Sequence, residues 1–171
     1  MQNFKNWELL SILFLVIPVN IYTIGDFIGA GISFPFFKFQ ISFAGTMLFS
    51  ISQELSYVLN GTYHHNTAIS ILVWITAFVF LISTVIVILI NNVKKDIRLK
   101  IASLLLTIST VGFLISIMFQ FGPYFHCPVG IAIPIGIPLM FVIGGWMYME
   151  GRKEEAGDEE KEVQGIAEES G

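Results

Sequence analysis

Four apolar runs, each long and nearly free of charge, constrain this chain more than any other feature. They cover Trp7 to Ile24, Ala68 to Ile90, Ile101 to Phe121 and Val129 to Met149. A helix crosses about 30 Å of hydrocarbon in roughly 17 to 25 residues, and each run has that length. The second carries no charge at all, while Pro18 and Asn20 interrupt the first. Unpaired backbone groups are too costly in lipid for anything but helices or closed barrels, and strand alternation is missing from all four. The expected fold is an all-α membrane domain over residues 1–149, a four-helix bundle.

The charge count agrees. Only 13% of the 171 residues are charged and 54% are hydrophobic, against about 25% charged in a soluble domain. Residues 150–171 hold nine of the 13 acids and three of the nine bases, so the body is about +2 and the tail about −6. Such a body cannot present enough polar surface to water. The lack of a basic stripe excludes nucleic acid as a partner. The acidic tail has too little apolar surface to fold alone and reads as disordered or a frayed helix.

Basic residues set the orientation. Lys94, Lys95, Arg98 and Lys100 lie between spans two and three, Arg152 and Lys153 follow span four, and Lys5 precedes span one. The positive-inside rule makes that side cytoplasmic. Both termini are then cytoplasmic, with a long outer loop at 25–67 and a short one at 122–128. The first run is long for a cleaved signal. A fifth span over Phe39 to Tyr57 would have to carry Gln40, Gln53 and Glu54.

Within the long loop the period changes to two. Phe37, Phe39, Ile41 and Phe43 alternate with Lys38, Gln40, Ser42 and Ala44, and alternation resumes from Thr46 to Ser52 around Leu48. This predicts a small outer β-hairpin over the helix ends, with its greasy face covered and Lys38, Gln40 and Ser42 wet.

Four spans, internal termini, a long first outer loop built on strands and a short second one resemble the plan of the claudins. Peripheral myelin proteins, auxiliary subunits of glutamate receptors and some calcium-channel γ subunits share that plan. Claudins carry Pro-x-Trp-Lys-aliphatic on the first outer strand, where this chain has Pro35-Phe36-Phe37-Lys38-Phe39. They then carry Gly-Leu-Trp and two cysteines, where this chain has Gly45-Thr46-Met47-Leu48-Phe49. Both tryptophans and the loop disulfide of that family are missing here. The resemblance implies partner contacts through Phe37, Lys38, Phe39, Gln40 and Phe49.

Residues able to carry chemistry are few. No ionisable residue sits in the middle of a span, where coupled transporters and intramembrane proteases need one; Glu8 and Asp26 flank span one. His64, His65, His126 and Cys127 all fall on the outer side, and imidazole and thiolate suit zinc or copper, with Glu54 or Asp26 as a further ligand. No characteristic metal-ligand spacing accompanies them, and Cys127 reads as a buried, inert thiol ahead of one that pairs with another chain. Asn60-Gly61-Thr62 is a glycosylation sequon on the outer side.

Small residues mark helix contacts. Ser70, Ala77 and Thr84 recur every seven residues in span two and lead on to Asn91; Ala102, Ser109 and Ser116 do so in span three beside Gly112. Such faces let helix backbones approach closely. Pro134 and Pro138, with Gly130 and Gly136 interleaved, predict a kinked or irregular outer half of span four.

The expected protein is a multi-pass cell-membrane protein, not an enzyme and without a cofactor. It acts as an accessory, scaffold or adhesion-like subunit whose partners are the lipid bilayer and another membrane protein or its own copies. Two other readings stand beside this one. The first is a small oligomeric pore or lipid-handling protein, and the second a metal- or haem-binding subunit of a membrane redox complex.

Overall fold

The computed structural model describes residues 12–25, 28–90, 93–128 and 130–169, with side-chain positions through Glu155. The start of span one at Trp7, Glu8, Asp26, Asn91 and Val129 lie outside the described residues, as does Gly171. A helical segment, α1, occupies residues 12–16. Four strands follow: β1 (Asn20–Ile24), β2 (Gly29–Ser33), β3 (Phe37–Ser42) and β4 (Gly45–Ser50). Next come helices α2 (Ile51–Leu59), α3 (His65–Leu89) and α4 (Lys95–Phe121). Strands β5 (His126–Cys127) and β6 (Gly130–Ile133) then lead into α5 (Gly136–Glu169).

The six strands form one antiparallel sheet in the order β4-β3-β2-β1-β6-β5. The expected hairpin is present as β3 and β4, paired from Phe37 with Ser50 to Ser42 with Gly45. It is one end of a larger sheet, and an all-α bundle with only a hairpin is too simple a description. Span one ends early, since Asn20–Ile24 is a strand between β2 and β6. Span four starts late, because Gly130–Ile133 pairs with β1. Gly130 makes that pairing possible: it has φ +151°, and a Cβ there would stand 1.8 Å from the Thr23 carbonyl oxygen.

The outer half of span four is irregular rather than a bent helix. Pro134 lies between β6 and α5, and Pro138 is the third residue of α5. In the first turn a missing N–H removes no intrahelical hydrogen bond. Of the two forms expected for the acidic segment, the helical one is seen, since α5 continues through Glu169. Ion pairs from Lys95 to Glu154 and from Lys100 to Glu155 (2.5 Å) fasten its first turn to α4.

Strand β4 gives way to α2 at a capping box. The Gln53 backbone N–H donates to Ser50 Oγ (3.4 Å), and the Ser50 N–H donates to Gln53 Oε1 (3.0 Å). Helix α3 packs along α4, and α4 along α5. Their shared core includes Leu81, Leu99, Leu106, Phe113, Met140 and Met147, all almost fully enclosed. It continues under the sheet through Phe14, Val19, Tyr22, Trp74 and Phe121. Helices α3 and α4 are long and apolar enough to cross a membrane, with mean hydropathy 2.8 and 2.2 in their best windows.

Candidate functional site: the two faces of the sheet

Alternation along β1, β2, β3 and β6 divides the sheet into an inner face over the helix ends and an outer face. Register fixes the inner rows. Asn20 stands opposite Ser33, Ser33 opposite Lys38, and Lys38 opposite Phe49. The next inner row runs Ala132, Tyr22, Gly31, Gln40, Met47.

The inner face is the polar one. Lys38 is only 7% exposed; its Nζ meets Glu54 Oε1 at 2.8 Å and lies 5.2 Å from the centre of the Trp74 ring. Glu54 comes from α2 and Trp74 from α3, so three elements enclose one cation. Trp74 Nε1 donates to the Pro35 carbonyl at 3.0 Å, and its ring meets Phe113 edge-on at 4.8 Å. Tyr22 donates from its hydroxyl to Gln40 Oε1 at 3.3 Å. The ring of Tyr22 lies over Gly31, where a Cβ would come within 2.4 Å of Cζ; only glycine fits there. Burial first, then the negative charges of Glu54 and Tyr63, push the Tyr22 phenol up to about 12. Burial and Glu54 also raise Tyr63, with Tyr57 adding to the effect. Asn20 is buried, and its Oδ1 has no hydrogen-bond partner.

The expected facing of β3 is therefore inverted. Lys38 is buried, and Gln40 and Ser42 point the same way and are half-buried, whereas Ile41 and Phe43 are exposed. A period of two establishes that two faces exist, not which one is covered. Here Glu54 and the Trp74 ring compensate the buried ammonium, so charge can turn inward.

The outer face carries the apolar row. Ile133 stands opposite Ile21, Ile21 opposite Ile32, Ile32 opposite Phe39, and Phe39 opposite Leu48. Five apolar side chains on five strands thus share one line, roughly 19 Å long at about 4.8 Å per strand. Ile133 and Leu48 are 59% and 60% exposed, and Ile21, Ile131 and Ile41 are also exposed. Of the contact residues named from sequence, Phe39 belongs to this row. Lys38, Gln40 and Phe49 belong to the inner rows, and Phe37 stacks on Phe34 at 4.5 Å.

The helix seam is a set of direct contacts. Ser70 Oγ donates to the Ser116 carbonyl (2.9 Å), and Ser116 Oγ donates to the Ser70 carbonyl (2.8 Å). Ser109 Oγ donates to the Ala77 carbonyl at 2.8 Å. A Cβ on Gly112 would stand 2.9 Å from that of Ala77. Ala102 and Thr84 are fully buried, Thr84 bonding the Phe80 carbonyl of its own helix. The second seam, where Ser103 Oγ donates to the Gly144 carbonyl (2.7 Å), is not among the stripes read from sequence. The Gly144-Gly145 pair is the signal that points to it.

The structure does not gather the histidines and the cysteine into one cluster. Among the described residues, no three His, Cys, Asp or Glu side chains come together to hold a metal ion. His64 and His65 are exposed at the start of α3, whereas His126 and Cys127 are paired into β5 at the sheet edge. Cys127 Sγ is turned to the Gln120 carbonyl at 3.8 Å. Asn60 caps the end of α2 and is exposed.

No protein family, curated protein or solved structure matches the chain.

Proposed function

We propose that this chain is a four-span membrane protein with both termini cytoplasmic. It acts without catalysis, as an accessory, scaffold or adhesion-like subunit whose outer sheet meets a partner. The observation that carries the reading is the apolar row Ile133–Ile21–Ile32–Phe39–Leu48, exposed at Ile133, Ile21 and Leu48 and half-buried at Ile32 and Phe39. A registered apolar line left open on one side of a sheet is costly in water, and such patches mark interaction surfaces.

The helices support the membrane part of the reading. Along α3, Ile69, Leu72, Val79 and Ile86 are all exposed, and Val79 is 57% exposed. Only 33% of the most apolar window of α3 is buried, less than the core helix of a soluble domain encloses, and this supports a lipid-facing side. Helices α4 and α5 expose Leu104, Ile108, Val142 and Trp146 in the same way. The uncharged part of α5, Gly136 to Met149, is about 21 Å long at 1.5 Å per residue. Arg152 and Lys153 are exposed just beyond it, and long basic side chains at a helix end can extend to an aqueous boundary. The basic residues at the α3–α4 turn and after α5 support a cytoplasmic assignment for that end and an outer one for the sheet. The claudin-like layout agrees with this assignment, since strands from the long first loop lie over the helix ends.

Replacing Leu48 and Ile41 by Glu tests the role of the outer face. Both are exposed, so the fold should hold while co-purification with the partner, or self-association in mild detergent, falls. Unchanged association in the double variant would remove the outer face from the function.

A further inference from the structure

We propose that a groove between α4 and α5 holds one acyl chain of an anionic glycerophospholipid, with the lipid phosphate at Lys100 and Arg152. This inference rests on the membrane reading but on no part of the outer sheet. The groove is an open trough of about 590 Å³, lined by Leu104, Thr107, Phe141, Gly145 and Tyr148, with Lys100 at one end. Its lining is almost wholly apolar along its length, and its one charged group is terminal.

Two adjacent glycines make this shape. Gly144 presses α5 against α4, its carbonyl accepting from Ser103 Oγ at 2.7 Å. Gly145 does the opposite: a Cβ there would meet nothing within 4 Å. The hollow is thus held open beside a tight contact, and any larger residue at 145 would fill it without touching the seam.

Helical phase supplies the polar end. Phe141, Gly145 and Tyr148 follow one another at four and three residues, and Arg152 is four further along the same face. On α4, Lys100, Leu104 and Thr107 repeat that spacing. Lys100 lies level with the far end of the groove, since its Cγ would stand 3.2 Å from a Cβ on Gly151. Lys100 therefore lines that end, and the exposed Arg152 follows on the same helical face of α5. Lys100 is held at 2.5 Å by Glu155, which is about half exposed, while Glu154 is taken by Lys95. A phosphate entering beside Lys100 and Arg152 replaces Glu155, an exposed carboxylate whose pairing contributes little. A second apolar helix would satisfy the slot but leave Lys100 with only its exposed partner Glu155 and give Arg152 no acceptor. An amphiphile with a negative head satisfies both ends.

The full-length protein, purified in mild detergent, is incubated with equal dioleoyl-phosphatidylglycerol and dioleoyl-phosphatidylcholine, and bound lipid is counted by native mass spectrometry. Wild type should retain the anionic lipid about fivefold better, the ratio expected for about 1 kcal/mol from a basic contact at an anionic surface. Gly145→Leu should lose both lipids, Lys100→Gln should lose the preference alone, and Glu155→Gln should sharpen it. Inorganic phosphate should not displace the bound lipid, since it cannot occupy the slot. Equal retention of the two lipids by wild type, or undiminished retention by Gly145→Leu, would overturn the proposal. So would a change of oligomeric state, rather than of bound lipid, in Gly145→Leu. Carbonate extraction of membranes separates the two levels: a protein released by carbonate fails the membrane reading itself.

Discussion

Lys38 Nζ and Glu54 Oε1 meet at 2.8 Å beneath the sheet, with both side chains 9% exposed. A strand residue and a helix residue, 16 positions apart, are locked together by this pair. Breaking it from one side leaves the other charge buried, at a typical cost of about 3–5 kcal/mol. Glu54→Gln and Lys38→Met should each destabilise the outer layer strongly. The double variant Lys38→Met with Glu54→Leu should recover much of the loss, because no charge then remains buried. A double-mutant cycle on thermal unfolding in detergent measures this; additive losses would show that the two groups act independently.

Tyr22 gives the sheet an alkaline limit. Its phenol is held near 12 in the fold against a reference of 10.0. Below pH 10 both folded and unfolded chains keep the proton, so the full stability is present. Between pH 10 and 12 the unfolded chain releases it first, binds fewer protons than the folded one, and stability falls as pH rises. Tyr22→Phe should flatten that decline while costing about 1 kcal/mol at neutral pH for the lost bond to Gln40. Unfolding midpoints followed from pH 8 to 12 in both proteins decide the matter.

Close helix contact makes the third prediction. Gly112→Leu must drive atoms into Ala77, whose Cβ already lies 2.9 Å from where a Cβ on Gly112 would be. Overpacking of this kind costs about 1–3 kcal/mol. Val79→Leu on the exposed side of α3 should cost almost nothing. Thermal stability in detergent should separate them, and equal midpoints would misplace the seam.

Legibility varied with the contrast each element carries. Helices α3 and α4 were readable because their apolar runs are uninterrupted, and the seven-residue spacing of Ser70, Ala77 and Thr84 puts them on one helical face by geometry alone. Strands β3 and β4 were readable because Lys38, Gln40 and Ser42 break the greasy run at every second residue. Strands β1 and β6 were not. Ile21, Ile131 and Ile133 point outward and are exposed, so both faces of these strands look apolar and each merges with its neighbouring helical run. Strand β2 hid for another reason: Gly29 and Gly31 are inward positions left empty for Ser42 and the Tyr22 ring, and glycine in a loop reads as a turn. The inward Lys38 was unreadable without its partners. A strand pattern cannot reveal that Glu54 will arrive from the next helix and Trp74 from the one after.

Topology supplies the last prediction, and it bears on both proposals. If the basic residues around α4's start face the cytoplasm, Asn60 and Lys95 lie on opposite sides of the membrane. Asn60 is exposed at the end of α2, and Lys95 is paired with Glu154 at the other end of the helices. With the native thiol first removed by Cys127→Ser, single cysteines are placed at positions 60 and 95 in sealed cells. A membrane-impermeant maleimide added outside should label position 60 and reach position 95 only after permeabilisation. Asn60→Cys also removes the sequon, so a mobility shift lost with it would show that the asparagine is glycosylated and therefore outside. Labelling of position 95 in intact cells would reverse the orientation. The apolar row on the sheet would then face the cytoplasm, and the groove mouth at Lys100 would open to the outer leaflet.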